Sequence, residues 1–178
     1  MKQTFALFPV LALLASSALA ADEPGFVPLF DGKDTSGWHL RRKDGHNSWK
    51  VEDGILKNIV NPGEHGTDLV TDKKFWNFTV KYDFMVPDNS NSGFYLRGRH
   101  EIQILGDYKS GKTSKGSNGA IYNHTAPSVF ASKPGGEWQT VEATIIDNKI
   151  DQPGPIFLKG DHGTVWFRNI RIKELPKT

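Results

Sequence analysis

Between residues 78 and 86 every second side chain is large and apolar. Phe78, Val80, Tyr82, Phe84 and Val86 alternate with Thr79, Lys81, Asp83 and Met85. A period of two places the first set on one face of an extended strand and the second on the other, so this stretch requires a sheet with one buried face. Pro87-Asp88-Asn89 ends it. Beyond the first 20 residues no segment carries the three-and-four apolar spacing of an amphipathic helix. Short alternating runs bounded by Gly, Pro, Asn and Asp fill the chain instead, the pattern of an antiparallel sandwich or barrel. Trp49-Lys50-Val51 and Ile55-Leu56-Lys57 flank a Glu52-Asp53-Gly54 turn and read as a hairpin. Segments 137–150, 155–159 and 164–175 supply further strands, and parity slips between Phe167 and Ile170, which predicts a bulge. Trp38, Trp76 and Trp166 are expected in the core.

The 178-residue chain opens with Lys2, an apolar run from Phe5 to Leu14, and Ala18-Leu19-Ala20 before Ala21. That is the layout of a secretory leader over residues 1–20, with an apolar segment too short to anchor in a membrane. The expected location is a bacterial periplasm or the medium, and residues 22–178 are expected to form one domain. With no cysteine in the chain, its stability rests on packing alone. A near-neutral charge balance gives no reason to expect nucleic acid or a membrane surface as partner. Segment 106–118, rich in Gly, Ser and Lys, reads as a long loop that is either functional or mobile.

Polar chemistry concentrates in Asn91-Ser92-Gly93-Phe94-Tyr95-Leu96-Arg97-Gly98-Arg99-His100-Glu101-Ile102-Gln103-Ile104-Leu105. Two strands joined by a short glycine-containing loop fit it. With Arg97 paired to Glu101 across a three-residue loop, Leu96 opposes Ile102 and Phe94 opposes Ile104; a two-residue loop mixes apolar with charged side chains. The favoured register gathers Tyr95, Arg97, Glu101 and Gln103 on one face, equipment suited to a polyhydroxylated ligand. The six histidines show no close pairing at metal-ligand spacing. No cofactor is indicated, and a divalent cation held by residues gathered through the fold is left open. A nucleophile-elbow pattern is absent as well.

Taken together, the segments 25–38, 49–56, 68–84, 91–98, 101–105, 119–127, 133–145, 154–163 and 167–175 cover most of the chain after the leader. In them, and in that order, the chain resembles the 3-keto-disaccharide hydrolase domain family. The resemblance implies a concanavalin A-like jelly-roll β-sandwich and a small carbohydrate, a 3-keto-glycoside, as substrate. Two departures stand out: the connection after Ile150 is short, and Lys159 stands where relatives commonly carry glutamine.

In such a substrate the ketone acidifies the hydrogen on carbon 2. A base removes it, the enolate expels the aglycone from carbon 1, and water addition completes hydrolysis. The resemblance and the hairpin together point to Glu101 as ligand or base, Arg97 as oxyanion or hydroxyl clamp, and His162 in Gly160-Asp161-His162-Gly163 as the alternative base. Tyr95, Gln103, Asp107, Trp138 and Lys159 are the candidates for binding sugar. Two other readings stay open: a non-catalytic sugar-binding module of the same fold, and an ordinary glycosidase pairing Glu101 with Asp107, Glu137 or Glu142.

Overall fold

A computed structural model describes residues 23–147 and 152–177. Residues 1–22, which include the expected leader, and residues 148–151, where the shortened connection falls, lie outside the described residues. Eleven strands make two antiparallel sheets: β1 Val27–Pro28, β2 Trp38–Leu40, β3 Trp49–Glu52, β4 Ile55–Asn58, β5 Leu69–Thr71, β6 Phe78–Met85, β7 Asn91–Leu96, β8 His100–Leu105, β9 Gln139–Ile145, β10 Phe157–Leu158 and β11 Val165–Glu174. The first sheet runs β3-β4-β11-β6-β9 with β1 also on β11, and the second runs β2-β5-β10-β7-β8. The described residues contain no α-helix, only a 3-10 turn at Tyr108–Ser110. The expected all-β sandwich is what forms.

Strand β6 obeys its alternation without exception: Phe78, Val80, Tyr82 and Phe84 are buried, and their neighbours are partly exposed. The two sheets meet through aromatic rings, with Tyr82 stacked on Phe94 at 4.0 Å between centroids and Phe167 edge-on to both. The bulge falls between Arg168 and Arg171, where Asn169 takes a left-handed φ of 53°. That extra residue lets Phe167, Ile170 and Ile172 all point inward. In the β3–β4 turn Asp53 and Gly54 have φ of 52° and 75°, the mirror-image geometry that matches strand twist. Of the three tryptophans expected inside, Trp38 is buried and donates to Leu29 O at 2.9 Å. Trp76 and Trp166 are instead half-buried, under the Arg97 guanidinium and the Lys57 ammonium respectively. Alternation cannot separate an inward tryptophan from one roofed by a cation.

The β7–β8 pairing corrects the expected register by two residues. Leu96 opposes His100, Tyr95 opposes Glu101, Phe94 opposes Ile102 and Gly93 opposes Gln103. A shift of two keeps every apolar side chain on its face, so the pattern is blind to it. What fixes the turn is Arg97-Gly98, both at positive φ (51° and 66°). The consequence is that Arg97 belongs to the loop, not to the ladder opposite Glu101.

On the edge hairpin, Lys50 and Lys57 reach the Glu52 carboxylate at 2.6 and 2.8 Å. Their hydrogen bonds, Lys50 first, hold its carboxyl down at about 2. Because the folded value lies below the unfolded one, this contribution is present above the ordinary carboxylate range and is lost as pH falls toward 2. Urea midpoints measured between about pH 5 and pH 2 are expected to drop less steeply in Glu52→Gln than in the parent, and added salt is expected to narrow the difference. Parallel slopes for the two proteins would contradict this.

Candidate functional site

Cross-strand partners share a face, so the registers of the second sheet lay out its outer surface residue by residue. His39, Val70, Phe157, Tyr95 and Glu101 form one row across all five strands. One step along, Arg41, Asp68, Lys159, Gly93 and Gln103 form the next: Arg41 N donates to Asp68 O and Lys159 N to Gly93 O. Four expected site residues, Tyr95, Glu101, Gln103 and Lys159, are brought together here.

Glu101 is the centre of the arrangement. Its side chain is only 6% exposed, so the carboxylate depends on protein donors rather than water. Tyr95 Oη donates to Oε2 at 2.7 Å, and Lys159 Nζ approaches Oε1 at 3.4 Å. Gln103 donates to Oε1 at 3.3 Å and to Ser92 O at 3.2 Å in the orientation that satisfies both ends of its amide. Burial, and then the bond to Glu101, pushes the Tyr95 hydroxyl well above its ordinary value, so it stays a protonated donor through neutral pH. Its ring is held by stacking on Phe157 at 3.9 Å between centroids.

Gly93 makes room for the acid. A Cβ added there would lie 2.3 Å from Glu101 Oε1. Further along, Arg41 pairs with Asp68 at 3.1 Å while its guanidinium lies 5.2 Å over the Phe157 ring, and Gly160 N donates to Asp68 Oδ1 at 3.0 Å. On the other side, the chain just after the long loop seals the free edge of β8: Gly119 N donates to Gln103 O, Gln103 N to Ala120 O and Tyr122 N to Glu101 O. That seal sets the exposed Tyr122 ring 5.9 Å from Lys159 Nζ. The loop lysine Lys109 faces away, paired with Asp88 at 2.8 Å.

The remaining expected site residues stand elsewhere. Arg97 is buried, with Nε donating to Trp76 O at 2.6 Å and a terminal nitrogen to Asn77 Oδ1 at 3.1 Å; its guanidinium braces the loop instead of clamping a ligand. His162 is exposed, bonded to Asp161, and lines a depression with His65, Pro87 and Ser90 that includes neither Glu101 nor Tyr95. Asp107 accepts from Asn118 N and Ser132 Oγ, pinning two loop segments. Trp138 precedes β9 on the other sheet, with the Arg168 guanidinium 4.0 Å over its ring. Glu142 pairs with Lys81 on that sheet too, and Glu137 stands exposed just before β9, so neither joins Glu101 as a second acid. Among the described residues no three His, Asp or Glu side chains gather to hold a metal.

Arg41, Asp68, Gly93, Tyr122 and Phe157 belong to this face and were not singled out from the sequence. Gly93 alone carried a signal, since glycine inside a strand marks a close approach. Arg41 and Asp68 sit in unremarkable contexts, and only the strand order brings them in.

A family model for the 3-keto-alpha-glucoside-1,2-lyase-like domain matches residues 25–152. The chain belongs to this family. A 3-keto-disaccharide hydrolase of Bacteroides thetaiotaomicron is 30% identical over 170 residues, covering 78% of this chain and 59% of the relative. This family member thus spans about three-fifths of that curated relative. A Parabacteroides distasonis crystal structure, provisionally named a glycosyl hydrolase, is 27% identical with a TM-score of 0.67, covering 85% of this chain and 84% of that one. A second from the same organism, at 23% identity, shares the fold with a TM-score of 0.71 over 85% and 95% of the two chains. Membership places the chain in a carbohydrate-hydrolase family.

Proposed function

We propose that this domain cleaves 3-keto-glycosides on the outer face of the second sheet, with Glu101 as the base that takes the proton from carbon 2. The observation that carries the reading is a nearly solvent-free carboxylate flanked by a phenol and an ammonium on one surface. The electron pair released at carbon 2 enters the enolate, whose oxygen gains charge and is offset by the Lys159 ammonium. The enolate then expels the aglycone oxygen from carbon 1, and the protonated carboxyl is the acid at hand for that oxygen. Water added across the resulting double bond completes hydrolysis. Tyr95 holds the second carboxylate oxygen and fixes its direction; Arg41 and Tyr122 border the face where hydroxyls and a pyranose ring would lie.

The test is turnover of 3-keto-trehalose beside trehalose. Cleavage of the keto sugar alone is expected, whereas hydrolysis of both would indicate an ordinary glycosidase. The low exposure of Glu101 favours one other reading, a module that binds sugar without cleaving it; binding of both sugars with turnover of neither would establish that.

Gly93→Ala is expected to lower kcat on the keto sugar by about 10²-fold, because a misplaced catalytic group loses its alignment, with little change in urea midpoint. A kcat unchanged by the added methyl would show that Glu101 need not lie over Gly93. The leader-like start supports export, so the N-terminus of protein recovered from the periplasm or medium is expected at Ala21; a retained Met1 would refute it.

A further inference from the structure

Beside the Tyr95–Glu101 row the same surface opens into a recess of about 290 Å³, lined by Arg41, Lys74, Arg99, Pro155 and Phe157. No acidic side chain is among the described residues lining it. Arg41 is paired with Asp68. Among the described residues, Lys74 and Arg99 have no carboxylate within ion-pair reach, and the Arg99 guanidinium donates to two neutral acceptors, Gln152 O at 2.9 Å and Arg97 O at 3.4 Å. Cations gathered around one concavity repel each other and raise its positive potential. A guanidinium fixed by carbonyls keeps its remaining donors for a carboxylate or phosphate.

The recess shares Phe157 with the sugar-facing row. Phe157, Tyr95 and Glu101 lie on three adjacent strands, so the recess stands about 10 Å from the acid. That is a neighbouring subsite, reached by the group attached to the ring at Glu101. We propose that this recess binds the anionic group of an acidic aglycone, making the preferred substrate a glycoside whose leaving group carries a carboxylate or phosphate. The proposal rests on the reading of the Glu101 face as the sugar site, and its test is built to fail separately.

The full chain is titrated calorimetrically at low salt with glucuronic acid, glucose 6-phosphate and glucose, and again as the Lys74→Gln/Arg99→Gln double variant. Both residues are exposed, so the variant is expected to fold. At least one anionic sugar is expected to bind about tenfold more tightly than glucose. The tighter of the two identifies the anion as carboxylate or phosphate. Added salt and the double variant are each expected to erase the advantage. Equal affinity for all three sugars overturns the proposal, as does an anion preference that survives in the double variant. Turnover of neutral 3-keto-trehalose is expected to be the same in parent and variant; a loss there would put the two cations in the chemistry and also overturn it. An anion preference with no turnover of any keto sugar supports the recess and sinks the reaction.

Discussion

Glu101→Gln is expected to reduce kcat/KM on a 3-keto-glycoside by about 10²- to 10⁴-fold, the range for removing a positioned general base. Glutamine keeps the shape and can still accept from Tyr95 Oη, now 2.7 Å from Glu101 Oε2, so the fold is expected to survive. What disappears is the capacity to take a proton. Tyr95→Phe is the matched control: it deletes the donor but leaves the acid, and its expected loss is nearer tenfold. Full activity in Glu101→Gln would remove the acid from the mechanism. Equal losses in the two variants would show that the phenol, not the carboxylate, is the reacting group.

Arg97→Met is expected to destabilise the protein by about 3 kcal/mol, because it strips charged donors from two acceptors inside the fold. Trp76 O and Asn77 Oδ1 would lose partners now at 2.6 and 3.1 Å, and the Trp76 ring would lose the guanidinium 4.2 Å from its centroid. In urea this corresponds to a midpoint lower by about 1.5 M. The variant separates a brace from a catalyst: turnover per folded molecule is expected to match the parent under conditions where both are native. An unchanged midpoint with lost turnover would return Arg97 to the chemistry.

Much of the sandwich was legible because period-two alternation is a direct consequence of one-sided burial. Strand β6, the Asp53-Gly54 hairpin and the bulge at Asn169 all followed from it. The same signal brought Tyr95, Glu101 and Gln103 to one face, since face depends only on parity. It failed for Arg97 because a register shifted by two has identical parity, and the left-handed geometry at Arg97-Gly98 decided between the two registers. Lys159 reached the site through the family resemblance, not through its local pattern. Asp107 and Trp138 were misplaced for another reason: a carboxylate pinning loops and a tryptophan under an arginine have the same local sequence as sugar ligands. Arg41 and Asp68 required the strand order, in which β5 and β10 link residues some 90 positions apart.

The central claim is that Glu101 removes the proton beside a sugar ketone. It is tested most directly with 3-keto-1,5-anhydroglucitol, which has the ketone and no aglycone on carbon 1, incubated with the protein in deuterium oxide and followed by proton NMR. The expected result is stereospecific exchange at carbon 2 catalysed by the parent and absent in Glu101→Gln. Exchange no faster than in buffer, or equally fast in both proteins, would contradict the account.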